Sequence, residues 1–161
     1  MTNQWWEKAV IYQIYPRSFL DSNADGIGDI KGIIQKLDFL NDGTEASLGI
    51  DAIWFNPLYP SPQYDFGYDI MDYCSIDPQY GTMAEFEQLL SEAHKRNIRI
   101  IMDIVPSVTS HLHPWFISSR SSKDDPKRDW YIWKDAPEGR KYPNNWFGVF
   151  GGRAWDWDKK T

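Results

Sequence analysis

The sequence predicts an α/β fold in which three parallel strands alternate with helices, in the order β-α-β-α-β. Three short apolar runs, AVIYQIY (9–15), IDAIWFN (50–56) and NIRIIMDIV (97–105), are each ended by a proline, at Pro16, Pro57 and Pro106. Near-continuous apolar character is what strands covered on both faces require. Between the first two runs, Ile30, Ile33, Ile34 and Leu37 repeat at the spacing of one helical face, and Gly43 is placed to stop that helix. Between the second and third, Thr82 and Glu85 form a capping box ahead of Phe86, Leu89, Leu90 and Ala93.

Right-handed crossovers carry all three strands in one direction, so the loops that follow them converge on one face. Those loops are long: PRSFLDSNADGIGD, then NPLYPSPQYDFGYDIMDYCSIDPQYG, then everything from Pro106. A scaffold alone would not need such length, and sites on α/β sheets sit at the carboxyl ends of strands. Residues 1–105 therefore form a partial β/α unit, and 106–161 a loop and an irregular subdomain whose last stretch carries five tryptophans without helical or alternating period. A chain of 161 residues is shorter than the roughly 250 of a full eight-fold barrel.

The net charge of −6 and the scattered basic residues exclude a nucleic-acid partner, which needs clustered Lys and Arg. DDPKRD (124–129) alternates sign and reads as a solvated loop. The single cysteine, Cys74, excludes an internal disulfide and fits a small buried apolar role in a reducing compartment. The start MTNQWWEKAV has no signal-peptide pattern, and no stretch approaches the roughly 20 apolar residues of a membrane span. A cytoplasmic protein without membrane attachment is expected.

DSNADGIGD (21–29) sets oxygen donors at Asp21, Asn23, Asp25 and Asp29, with Gly26 at the turn and the Ile27 carbonyl between them. This is the donor order of a calcium loop, except that Gly32 stands where the bidentate glutamate belongs. Two readings stay open: a divalent-ion loop, expected to take Ca²⁺, or a hydrogen-bonded acidic turn. QYDFGYDIMDY (63–73) packs three aspartates and three tyrosines around one glycine. Carboxylates and aromatic faces suit a sugar, though loops carry such residues for folding reasons too. His111 and His113 lack a zinc spacing and fit a structural role beside Trp115 and Phe116, while His94 ends a helix. Asp103 sits near the end of a buried strand, so it must be ion-paired or held by loop N–H groups.

The ordered motifs AVIYQIYPRSFLDSNADGIGDIKGI, GIDAIWFNPLYPSP, DFGYDIMDYCSIDPQYGT, IIMDIVP, HPWF and NNWFGVFGGRAWDWD together resemble the amino-terminal third of the α-amylase superfamily. They look most like its α-glucosidase and oligo-1,6-glucosidase branch, over nearly the whole chain. The resemblance implies the N-terminal part of a TIM-type (β/α) barrel, with three strands, two helices and the start of the small domain inserted after the third strand. It implies small α-glucosides as substrates, with Asp65 accepting sugar hydroxyls, Tyr68 stacking, Asp103 opening the strand-three motif, Phe150 lining the glucose pocket, and calcium on Asp21, Asn23, Asp25, Ile27 and Asp29.

Two departures stand out. The family's Asn-His pair is replaced by Ser107 and Val108, and Val108 removes a donor to glucose. The family's nucleophile and acid/base, carboxylates about 5 to 5.5 Å apart in retaining enzymes, fall after the fourth and fifth strands, so no catalytic residue is assigned here. The expected function is thus the amino-terminal portion of a retaining α-glucosidase-like glycoside hydrolase. The alternatives are a non-catalytic fragment that keeps calcium or carbohydrate binding and self-associates through its sheet edge, or a relative of transporter heavy chains, against which the missing membrane segment counts.

Overall fold

The computed structural model describes residues 4–160, which divide into two compact units, one running to Ser110 and the other starting at His111.

The first unit is built on a parallel sheet of β1 (Ile11–Ile14), β2 (Ala52–Phe55) and β3 (Arg99–Met102), in that order. Ile14, Phe55 and Met102 lie level at the strand exits. Each ladder is shorter than the apolar run that announced it. At the β1 entrance a side chain has taken over part of the ladder, since the Val10 N–H donates to Asp51 Oδ2 at 2.8 Å.

The helical face between β1 and β2 is as expected, with Ile30, Ile33 and Leu37 fully buried and Ile34 packed against them. The backbone, however, breaks into α1 (Ile30–Gln35) and α2 (Leu37–Leu40) at Lys36, whose N–H reaches back to the carbonyls of Ile33 and Ile34. Gly43 does not stop this helix, because α2 ends at Asn41 in extended backbone and Gly43 (φ +82) serves the following turn.

The capping box forms as read: Thr82 Oγ1 accepts from the Glu85 N–H at 3.2 Å, and Glu85 accepts from the Thr82 N–H at 2.7 Å, opening α3 (Met83–Lys95). Leu89 and Ala93 are fully buried in the same core as Ile53, Phe55 and Leu58, and each such Leu, Ile or Phe side chain contributes about 1.5–3 kcal/mol. His94 is exposed in the last turn, where a partial negative charge gathers. Cys74 is exposed rather than buried, because it lies in a turn fixed by Asp72, whose Oδ1 accepts the Cys74 N–H.

The second unit begins with α4 (Pro114–Ser119), capped by His113, whose Nδ1 accepts the Trp115 N–H at 3.1 Å. The structural role expected of this histidine is that cap. Phe116 stacks on Trp133 and meets Tyr131 edge-on, while the Arg128 guanidinium lies 4.0 Å over Trp133. The 124–129 stretch is anchored rather than simply solvated: Asp125 accepts from Ser118 Oγ at 2.9 Å and from the Lys127 N–H at 2.8 Å. Beyond it the described residues are irregular, with an antiparallel bridge between Phe147 and Arg153.

Candidate sugar site at the strand exits

Asp103 follows β3 directly, and its N–H extends the ladder to the Phe55 carbonyl at 3.1 Å. Its Oδ1 accepts from Trp54 Nε1 at 2.7 Å and its Oδ2 from the Tyr68 hydroxyl at 2.9 Å. Among the described residues neither an ion pair nor loop N–H groups hold it, contrary to expectation. Trp54 stands opposite Ile101 on the neighbouring strand and so brings its indole within reach. Among the described residues no Lys or Arg pairs with this carboxylate.

The donors form a directed chain. Gln13 Nε2 donates to Asn56 Oδ1 at 3.1 Å, Asn56 Nδ2 donates to the Tyr68 oxygen at 2.6 Å, and Tyr68 donates onward to Asp103. Each bond polarises the next, which stiffens the exits of all three strands. Burial raises the Tyr68 pKa above its ordinary value; the Asn56 N–H works the other way, but the bond to Asp103 adds to burial and the phenol stays a donor.

Asp65 lies in the loop after β2. Its N–H donates to Asp69 Oδ1 at 3.1 Å and its carbonyl accepts the Tyr68 N–H at 3.0 Å. Its exposed carboxylate has no protein partner among the described residues. Asp69 is structural, accepting also from Ser61 Oγ at 2.6 Å and from the Tyr64 N–H at 3.1 Å. Gln63 (φ +63) and Phe66 (φ +49) adopt left-handed backbone without being glycine, a strain that collects at functional loops.

Ser107 and Val108 are exposed in the loop after Asp103, with Val108 at 53 %. The structure therefore gathers Tyr68 and Asp103 in direct contact, with Asp65 and Val108 on the adjoining loops of the same unit. Phe150 belongs to the second unit, where it is 99 % exposed. Gln13, Trp54 and Asn56 were missed in the sequence. An asparagine ending an apolar strand ahead of Pro57 is the one local sign of them.

In the loop after β1, Asp21 accepts from the N–H groups of Asn23, Ala24 and Gly26 at 3.0, 2.7 and 2.7 Å. Asp25 accepts from the Ile27 N–H at 2.8 Å. Asp29 caps α1, taking the Gly32 N–H at 2.7 Å on Oδ1 and both donors of Ser22 on Oδ2. No three Asp, Glu, His or Cys side chains among the described residues converge as a metal cluster. The donor chemistry still fits a hard cation: three carboxylates, Asn23 and the Ile27 carbonyl share one loop, and no Lys or Arg among the described residues pairs with its aspartates. The absent glutamate has a steric cause, since a Cβ on Gly32 would fall 2.1 Å from the Leu20 carbonyl oxygen.

The Gly26 N–H is the main cause that lowers the Asp21 pKa. For Asp29 burial acts upward, but the bonds from Gly32 and Ser22 outweigh it and the net shift is downward. Both groups thus ionise more readily folded than unfolded, and their stabilisation is complete above the unfolded aspartate value of about 4. It is lost as the pH falls through the lowered folded values. The melting temperature should drop on acidification from about pH 5 to about pH 3, and less steeply in Asp29→Asn; identical slopes would mean that Asp29 is not one of the groups responsible.

The Alpha-amylase catalytic-domain model matches residues 13–161. The oligo-1,6-glucosidase of Parageobacillus thermoglucosidasius is 55% identical over 161 residues, which is 100% of this chain and 28% of that protein. The trehalose-6-phosphate hydrolase of Bacillus subtilis is 53% identical over 157 residues, 98% of this chain and 27% of its own length. The crystal structure of the isomaltulose synthase SmuA from Protaminobacter rubrum superposes with a TM-score of 0.93 at 55% identity, covering 100% of this chain and 28% of that one. This chain thus spans little more than a quarter of the length of these relatives. Among the described residues no helix is long and apolar enough to cross a membrane. The three parallel strands form the first part of the barrel these proteins share, and the chain belongs to the alpha-amylase catalytic-domain family.

Proposed function

We propose that this chain provides the glucose-binding wall of a retaining α-glucosidase-type glycoside hydrolase acting on small α-glucosides. The observation that carries the reading is the exposed, unpartnered carboxylate of Asp65 beside a Tyr68–Asp103 pair fixed by hydrogen bonds. Asp65 is free to accept two sugar hydroxyls. Tyr68, whose hydroxyl is engaged at both ends, offers its ring face. The nucleophile and acid/base of such an enzyme stand on later barrel strands, so the residues here bind and orient the sugar. The exposed unpaired thiol of Cys74 favours a reducing, cytoplasmic setting.

The test replaces the matching segment of the Bacillus cereus oligo-1,6-glucosidase, 54% identical over 161 residues, with this chain. The hybrid should hydrolyse p-nitrophenyl α-glucoside, and Asp65→Ala should lower kcat/KM about 100-fold, the loss of two charge-assisted hydrogen bonds. An unchanged kcat/KM would remove Asp65 from the site.

We also propose that Asp21, Asn23, Asp25, Asp29 and the Ile27 carbonyl hold Ca²⁺ in a structural role. Binding to the folded state alone raises its stability by mass action, by about 2.7 kcal/mol at a hundredfold excess over Kd. The melting temperature should rise with Ca²⁺, fall with chelator, and lose this dependence in Asp25→Ala. Coincident melts would leave the loop as an acidic turn.

A further inference from the structure

The loop that leaves β3 is poorly tethered. Pro106 has no N–H, and Ile104, Pro106, Ser107 and Val108 are all exposed, Ile104 to 75 %. Among the described residues a single side chain hydrogen-bonds to residues 104–108. The Tyr73 hydroxyl lies 2.8 Å from the Val105 carbonyl oxygen and 2.8 Å from the Val108 carbonyl oxygen. A phenol carries one hydrogen, so the two equal distances describe a three-centre bond that draws both ends of the Val105–Val108 turn to one point.

Tyr73 is itself placed by Tyr59, whose ring lies 5.9 Å away at 52° and whose hydroxyl donates to the Asp103 carbonyl oxygen at 3.0 Å. Both tyrosines come from the loop after β2, which also carries Asp65 and Tyr68. One loop therefore supplies sugar-facing groups and, through Tyr73, fixes the main chain of the neighbouring loop.

We propose that Tyr73 is a positioning residue of the sugar site, its hydroxyl clamping the backbone at Val105 and Val108 so that the 107–108 side chains are presented in one orientation. This rests on the reading of the strand exits as a glucose site. The clamp acts on carbonyl oxygens, so it works whichever side chains stand at 107 and 108.

Tyr73→Phe keeps the ring and its packing on Tyr59 and removes only the hydroxyl. In the protein expressed from its own gene, NMR order parameters at Val105 and Val108 should fall from about 0.85 to about 0.6, with those in β3 and the melting temperature nearly unchanged. Glucose affinity, measured by calorimetry, should weaken about 3- to 10-fold, the effect of one hydrogen bond. Unchanged order parameters overturn the clamp. A loosened loop with unchanged glucose affinity overturns its role in presenting the 107–108 side chains. A loosened loop in a protein that binds no glucose even as wild type keeps the clamp and removes the sugar-site reading.

Discussion

Gly32→Ala should destabilise the protein by about 3 kcal/mol, although alanine is the better helix former by about 1 kcal/mol. An added Cβ would meet the Leu20 carbonyl oxygen at 2.1 Å and the Leu20 Cβ at 3.0 Å. That carbonyl cannot simply retreat, because it accepts the Asp29 N–H at 3.0 Å and so fixes the residue that caps α1. Gly32 also donates its own N–H to Asp29 Oδ1. A shift that relieves the clash therefore pulls on the cap from both sides. Urea unfolding of the wild type, Gly32→Ala and Gly26→Ala separates steric from conformational cost. At Gly26 nothing lies within 4 Å of the added Cβ and φ is +89, so only the left-handed backbone is penalised, by about 1 kcal/mol. Equal stabilities for wild type and Gly32→Ala would show that the loop before α1 yields freely.

Strand order and the start of α3 were legible because their signals are local. Apolar runs ended by prolines and a Thr-x-x-Glu box each occupy a few consecutive residues. The break at Lys36 was not, since a helical face continues across it: Ile33 and Leu37 are both buried although the backbone between them leaves the helix. α4 was missed for a different reason, its six residues being too few to show a period.

At the site, Asp103 was flagged by the cost of ending a buried strand with a charge, but its partners lie 49 and 35 positions away at Trp54 and Tyr68. Strand register brings them together, and no single stretch of sequence records it. The acidic loop was legible as a turn and as an oxygen donor set at once, because backbone N–H groups and a cation seek the same carboxylates. Tyr73 had no local sign at all, since what it holds is main chain.

The exchange of the pair Ser107→Asn with Val108→His, in a barrel completed by the later strands of an oligo-1,6-glucosidase, should strengthen α-glucoside binding or turnover by about 1 to 3 kcal/mol, roughly 5- to 150-fold. On the proposed reading of the site, valine at this position can only desolvate a sugar hydroxyl, whereas an imidazole would return a hydrogen bond to it. The larger ring has room, because Val108 is 53 % exposed. The main chain should hold its course through the change, because Tyr73 binds the 108 carbonyl and not the side chain. Combining the pair with Tyr73→Phe should then forfeit part of the gain, since a histidine that can swing pays orientational entropy before it bonds. Steady-state kinetics on p-nitrophenyl α-glucoside and calorimetry with glucose read both steps. If the pair brings no gain while the hybrid remains active, the 107–108 side chains face away from the sugar, and recognition rests on Asp65 and the Tyr68–Asp103 pair without them.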